Sequence, residues 1–96
     1  MARLPEWVNI FDGRLGLKMD AAQCRAARAL LGWSQDQLAE ASKVNKKTIA
    51  DFERGARQPF ERTIRDLTEA MEAADIQFVP ENGGGAGVRF RTRKDV

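Results

Sequence analysis

Two helical segments joined by only three residues constrain the fold of this chain more than any other feature of its sequence. Ser34 is a strong N-cap residue, so a short helix is predicted over Gln35–Ala41. Asn45 is the next N-cap residue, and a helix over Asn45–Arg54 is predicted to stop at Gly55. Residues 42–44 are then a tight connection between two short helices.

Two further helices flank this pair. Asp20 can cap an alanine-rich helix over Ala21–Leu31. After Pro59 the spacing of apolar residues predicts a fourth helix over Glu61–Ala74. Its inward-facing positions are Ile64, Leu67, Met71 and Ala74. The sequence thus predicts a mainly α, four-helix domain over residues 20–75.

The period of the apolar residues changes after this domain. Ile76–Val79 and Val88–Arg93 are predicted to be two short strands joined by a glycine-rich turn. We therefore expect a C-terminal β-hairpin within residues 76–96. At the other end, Asp12-Gly13 is a typical hairpin-turn dipeptide, so residues 1–19 are predicted to form a small hairpin or arm.

Residue types that support catalysis and metal binding are scarce. The chain has no histidine, no tyrosine and one cysteine, Cys24, which cannot form an internal disulfide. It has no paired nucleophile and base, and the glycine cluster at residues 83–85 lacks the lysine of a phosphate-binding loop. No apolar run suits a membrane span or a secretory signal. We therefore expect a cytoplasmic, metal-free protein that is not an enzyme and uses no cofactor.

The charges are unevenly distributed although the net charge is only +2. Residues 43–65 carry seven basic and three acidic side chains, and residues 66–82 carry five acids and no base. This asymmetry gives the molecule a positive and a negative side, so a polyanion would approach one face only. The alternative is an ordinary solvated helix surface of mixed charge.

Several short motifs follow one another along the central helices. They are Gly32-Trp33-Ser34-Gln35, Gln37-Leu38-Ala39, Thr48-Ile49 and Phe52-Glu53-Arg54-Gly55. Together they resemble the lambda-repressor and Cro type of helix-turn-helix, the Xre family, over about Ala21–Met71. The resemblance implies a prokaryotic or phage regulator, foremost a repressor, that binds specific double-stranded DNA. Such a protein would be cytoplasmic and associated with the nucleoid when bound.

The resemblance also implies a structural ion pair. Arg28 on the first helix and Glu53 at the end of the third match an arginine and a glutamate that pair in related repressors. The alternative is two unrelated surface charges. Ala39 occupies the position where a small residue allows two helices to cross closely.

DNA contacts are expected on the outward face of the third helix. Ile49 and Phe52 must face the core, so the remaining positions face DNA or solvent. These are Asn45, Lys46, Lys47, Thr48, Asp51 and Arg54. Lysine can donate to guanine, and asparagine can bond adenine through two hydrogen bonds. Asp51 either accepts from cytosine or pairs with Lys47 one turn earlier; the pair is favoured because an isolated acid near phosphates is unfavourable.

Three more residues are expected at the DNA backbone. Gln35 resembles the glutamine that contacts a phosphate in this family, and Lys43 and Arg57 are candidate phosphate contacts without sequence specificity. Lys43 departs from the family pattern, which commonly has glycine at this turn. It must therefore adopt a left-handed conformation, at a cost of about 1 kcal/mol.

A homodimer on a palindromic operator is expected, because one recognition helix contacts too few base pairs for high specificity. The hairpin is the expected dimerisation element, since its apolar residues exceed what a lone hairpin buries. They are Ile76, Phe78, Val79, Val88 and Phe90. The alternative is that they fold back over the fourth helix of their own chain. Arg89, Arg91 and Arg93 alternate with these residues and are expected to face phosphate or solvent.

Two other functions stay open. An antitoxin would use the same domain to regulate its own operon while another surface masks a toxin, and the sequence allows such a regulatory protein partner. An adaptor that has lost DNA binding is disfavoured by the basic residues of the third helix.

Overall fold

The computed structural model describes residues 19–92 of the 96-residue chain. In this part of the chain four helices come first and a two-stranded antiparallel hairpin follows. The elements are α1 (Ala21–Leu31), α2 (Gln35–Ser42), α3 (Lys46–Glu53), α4 (Glu61–Ala73), β1 (Ile76–Val79) and β2 (Gly87–Phe90). The predicted mainly α fold with a C-terminal hairpin is confirmed. The hairpin predicted in the N-terminal arm and the residues from Arg93 onward lie outside the described residues.

Side-chain caps fix where the first three helices begin. Asp20 accepts from the backbone N–H of Gln23 at 2.7 Å, and the Gln23 side chain accepts from the backbone N–H of Asp20 at 3.0 Å. Ser34 and Gln37 repeat this reciprocal capping at α2. The Asn45 side-chain oxygen accepts from the backbone two residues further along, at the start of α3. These three N-caps are the residues that the sequence predicted.

Ser42 and Lys43 shape the turn between α2 and α3. The buried Ser42 hydroxyl donates to the α2 backbone at 2.7 Å and accepts from the N–H of Val44 at 3.2 Å. Lys43 ends α2 with a φ of 64°, the left-handed conformation expected at this position. Asn45 and Arg54 are caps and not helical residues, so α3 is one residue shorter at each end than predicted.

The helices and the hairpin share one apolar core. Its buried members are Met19, Cys24, Ala27, Leu38, Val44, Ile49, Phe52, Ile64, Leu67, Met71, Ile76 and Phe78. Ala39 is half-buried and packs against this core. Ala74, predicted to face inward from α4, is the C-cap of that helix and is half-buried.

The hairpin packs on its own chain through four of its five apolar residues, while Val79 is half-buried and outside this packing, and a role of the hairpin in dimerisation stays a prediction. Ile76 is 0% exposed and Phe78 is 7% exposed, while Val88 and Phe90 are partly buried against the core. Strand β1 contacts α4, and β2 contacts α1. Because a two-stranded hairpin is marginal alone, these helices supply the cover that stabilises it. The alternative, folding back over the fourth helix, is observed for β1, whereas β2 packs on α1.

Strand β2 ends at Phe90 and not at Arg93 as predicted. Asp75, just before β1, has a φ of 82°, which is not an extended conformation, and its carbonyl accepts from the backbone N–H of Arg91 at 2.8 Å. The Asp75 side chain accepts from the backbone and the hydroxyl of Thr92 at 3.3 and 3.0 Å. The chain after Phe90 therefore bends around Asp75.

Gln23 ties α1 to the hairpin. Its side chain is buried, and Nε2 donates to the carbonyl of Gly87 at 3.0 Å and to that of Val79 at 3.4 Å. These carbonyls lie at the ends of the two strands that adjoin the glycine-rich turn. One buried side-chain amide thus donates a hydrogen bond to a backbone carbonyl of each strand, at the point where the strands separate.

We expect Gln23→Ala to lower the free energy of unfolding by about 1–3 kcal/mol, because the change removes a buried donor from two carbonyls together with one helix cap. Urea denaturation followed by circular dichroism measures the loss. Gln37→Ala is the matched control, since Gln37 caps α2 in the same way and has no bond to the hairpin among residues 19–92. Equal losses in the two variants would show that the bonds to the hairpin contribute nothing.

Candidate nucleic-acid interface

The carboxylate of Glu53 is buried at the end of α3, with 3% of the side chain exposed. Arg28 of α1 donates to both of its oxygens, from Nε to Oε2 at 2.8 Å and from Nη2 to Oε1 at 2.7 Å. The two residues that the family resemblance paired thus form a bidentate ion pair, with 20% of the Arg28 side chain exposed. They are not unrelated surface charges.

Further donors surround Glu53. Gln35 Nε2 donates to Oε1 at 3.0 Å, and the Cys24 thiol donates to Oε2 at 3.1 Å. The Arg25 guanidinium donates to the backbone carbonyl of Glu53. One residue thereby ties the end of α3 to α1 and to the first residue of α2.

This network adds a role for Gln35 that the sequence did not predict. The resemblance assigned Gln35 to a DNA phosphate, whereas its side chain is half-buried and bonded to Glu53. A phosphate contact by Gln35 stays a prediction. The sequence analysis did not assign Cys24 to this network; its spacing of four residues from Arg28, which places both on one face of the helix, is the signal that could have linked it to Glu53.

The network fixes the charge states of its members. Burial alone would raise the pKa of the Glu53 carboxyl, but hydrogen bonds from Arg28, Gln35 and Cys24 and the charge of Arg28 hold it below its ordinary value. The hydrogen bond to Glu53 raises the pKa of Arg28. Burial, and then the hydrogen bond to Glu53, raise the pKa of the Cys24 thiol. At neutral pH the ion pair is charged, and Cys24 is a protonated thiol and a weak nucleophile.

The outward face of α3 is polar. Ile49 and Phe52 point into the core and are 0% and 3% exposed. The six residues predicted to face DNA or solvent lie at exposed positions (Asn45, Lys46, Lys47 and Arg54) or half-buried ones (Thr48 and Asp51). The division of α3 into two faces therefore agrees with the burial of its residues.

Ion pairs link the charged residues of this face. Asp51 lies 3.1 Å from Lys47 and 2.7 Å from Arg54, and Lys46 lies 3.1 Å from Asp36 of α2. The hydrogen bond from Lys47, with that from Arg54, lowers the pKa of Asp51. Of the two roles considered for Asp51, the ion pair with Lys47 is present. Exposed pairs of this kind are weak, so the cations can exchange them for other anions at little cost.

Basic residues continue along the chain on either side of α3. Lys43 and Arg57 are exposed, and neither has an ion pair among residues 19–92. The same holds for Arg62 and Arg65 in the first half of α4. The other cations between residues 43 and 65 are paired with acids, so these four are the ones of that segment without an ion pair among residues 19–92.

Two arginines of the hairpin region are exposed in the described structure. Arg89 donates to Gln77 across the strands at 2.9 Å. Burial raises the pKa of the Glu72 carboxyl, and the positive charge of Arg91 offsets only part of this rise. Arg93 lies outside the described residues. Contacts from these arginines to phosphate stay predictions.

Neither a metal cluster nor a membrane-spanning helix occurs between residues 19 and 92. No three potential ligands among the cysteine and acidic side chains of this region lie together. No helix there has the length and apolar composition needed to cross a bilayer.

The arrangement of α1–α4 corresponds to a known family. Residues 25–74, which are 50 of the 96 residues, match the family model described as helix-turn-helix. The matched part runs from the first half of α1 to the C-cap of α4 and contains the whole Glu53 network except Cys24. No curated protein matches the chain.

We expect Glu53→Gln to lower the free energy of unfolding at neutral pH by about 3 kcal/mol, because Arg28 loses its buried counter-charge. The figure is at the lower end for buried pairs, since part of the Arg28 side chain is exposed. Urea denaturation at neutral pH measures it. Glu40→Gln, at an exposed position of α2, is the control and is expected to have little effect.

The same pair predicts a dependence of stability on pH. Because the pKa of Glu53 is lower in the folded state, the unfolded state binds more protons in the acidic range. The contribution of Glu53 is therefore complete above the ordinary carboxyl pKa and is lost as pH falls through the folded-state pKa. Wild-type and Glu53→Gln stabilities should converge in acid. Parallel curves would contradict the assigned charge of Glu53.

Proposed function

This chain belongs to the lambda-repressor/Xre type of the helix-turn-helix family, and on that premise we propose that it binds specific duplex DNA and represses transcription. A helix-turn-helix protein places its second helix in the major groove while the first crosses the backbone. In this chain α3 is the helix for the groove, and α2 is the helix that supports it.

The observation that carries the proposal is the two-faced character of α3. The apolar side of α3 is buried in the core, and the Glu53 network holds the C-terminal end of α3 against α1 and α2. Its other side presents polar groups that can donate to base edges. A rigid helix with an open polar face is what direct contact with the major groove requires.

Each lysine of α3 has a defined contribution in this proposal. Lys46 and Lys47 give up their contacts with Asp36 and Asp51 and donate to guanine edges. Asn45 uses its side-chain oxygen to cap α3 and has its amide N–H groups left as donors to bases. These contacts supply sequence preference.

Other residues supply affinity without sequence preference. Lys43 and Arg57 contact phosphates at the two ends of α3, and Gln35 assists at the start of α2. Repression then follows from occupancy, because a protein seated across a promoter excludes the polymerase from the same DNA. The proposed place of action is the cytoplasm, at the nucleoid.

The proposal also includes a homodimer on a palindromic site. Two recognition helices one helical turn apart, about 34 Å, would double the number of bases contacted. The apolar face of the hairpin packs largely within its own chain, so the support for a dimer comes from this requirement for specificity.

Replacing Lys46 and Lys47 with alanine should weaken specific binding by roughly 1–3 kcal/mol for each lysine that contacts a base. Fluorescence anisotropy measures it, with a duplex selected from a randomised library by the wild-type chain and a scrambled duplex beside it. In a reporter gene whose promoter overlaps the selected site, the same variant should relieve repression.

Arg57→Ala is the contrasting variant. It should lose affinity equally for the selected and scrambled duplexes and give a shallower dependence on salt, with a slope smaller by about 0.9 for one phosphate contact. Unchanged specific affinity in the double lysine variant would rule out α3 as the helix that contacts bases.

Dimeric binding is tested by moving one half-site. We expect two protomers to bind a duplex with both half-sites and the second protomer to be lost when the spacing grows by half a helical turn, since it then faces the opposite side of the DNA. Titration at concentrations far above the dissociation constant gives the stoichiometry. Equal affinity and one protomer per duplex at both spacings would contradict the dimer.

A further inference from the structure

Phe60 is the most exposed large apolar side chain among residues 19–92, at 85% exposure. Leu30, at 41% exposure, is the other exposed large apolar residue in this part of the chain. Apolar rings are ordinarily buried, and one left almost entirely in water contributes nothing to the core.

The position of Phe60 adds a second anomaly. It is the N-cap of α4, and its side chain makes no capping hydrogen bond, whereas Asp20, Ser34 and Asn45 cap the other three helices. A serine, threonine, aspartate or asparagine at position 60 would satisfy an N–H group of the first turn. Phe60 therefore serves neither the core nor its helix.

The sequence on either side of Phe60 is rich in cations. Arg54, Arg57, Arg62 and Arg65 are all exposed, Arg54 alone of these has an ion pair within residues 19–92, with Asp51, and one acid, Glu61, lies between Arg54 and Arg65 in the sequence. If this surface met the same surface of a second copy, like charges would face each other. A polyanion would instead be attracted to these cations. The charges therefore favour DNA as the partner of this surface.

We propose that Phe60 is an apolar DNA contact whose ring packs against deoxyribose and base edges beside the groove occupied by α3. The inference rests on the proposed function. Phe60 follows Arg54, at the end of α3, by six positions, a span of at most about 22 Å, so the ring can reach DNA that adjoins the end of α3. Apolar side chains at such sites respond to the shape and deformability of the duplex, so Phe60 adds sequence preference outside the bases that α3 contacts.

Phe60→Ser tests the proposal because folding and binding should change in opposite directions. The serine supplies the missing cap, so the midpoint of thermal unfolding should rise by several degrees. Affinity for a duplex selected from a randomised library by the wild-type chain should fall by about tenfold. The salt dependence should keep its slope because no phosphate contact is lost, whereas Arg62→Ala should reduce the slope by about 0.9 if Arg62 contacts a phosphate.

Leu30→Ala is the matched control, since it removes the other exposed apolar side chain, and it should leave affinity unchanged. If the wild-type chain selects and binds no duplex, the proposed function fails and this inference fails with it. If the wild-type chain binds and Phe60→Ser binds equally well, the inference alone is overturned. Loss of self-association by the free Phe60→Ser protein, measured by light scattering, would instead assign Phe60 to a contact between copies and overturn it as well.

Discussion

The buried carboxylate of Glu53 is the interaction on which the rest of this structure depends. An ion removed from water is unfavourable unless its lone pairs are satisfied. Here Arg28, Gln35 and Cys24 satisfy them, and no buried side-chain nitrogen or oxygen between residues 19 and 92 lacks a hydrogen-bond partner. Apolar packing alone tolerates small rotations of a helix, whereas hydrogen bonds to one carboxylate from two other helices do not. The orientation of α3, and with it the direction of its polar face, is therefore set by directional bonds.

The ion pairs on the polar face of α3 are weaker than the buried ion pair beneath it. The Glu53 pair is largely shielded from solvent, so its bonds persist, whereas Asp36 and Asp51 hold Lys46 and Lys47 at exposed positions where ion pairs are weak. The acids reduce the net positive charge of the surface. Non-specific attraction to any polyanion is reduced accordingly, and the proposed directional contacts to bases gain relative weight.

Local signals made much of the fold predictable from the sequence. Asp20, Ser34 and Asn45 act through bonds to residues two or three positions away, so the starts of α1–α3 needed no tertiary information. Long-range bonds were not predictable in the same way. The amide of Gln23 reaches carbonyls 56 and 64 residues further along the chain, and nothing in a local pattern specifies such a partner.

In the candidate site, too, the features set by local spacing were predictable from the sequence and those set by long-range packing were not. The spacing of Ile49 and Phe52 was enough to assign the two faces of α3, whereas the bond from Gln35 to Glu53 depends on how α2 and α3 pack. Likewise, the sequence showed that the hairpin is apolar, but only the packing of α1 and α4 on it revealed which surface covers it. The exposure of Phe60 also had no signal, because an aromatic residue at a helix start is normally taken for core.

The left-handed backbone of Lys43 has a consequence for protein engineering. Glycine at this position would relieve the strain and make the chain more stable, yet it would remove a cation from the edge of the proposed interface. A thermostabilisation campaign scored by heat resistance alone would accept that exchange as an improvement. A gain in stability at such a position would then indicate a residue of the proposed interface, just as a loss of binding does in alanine scanning.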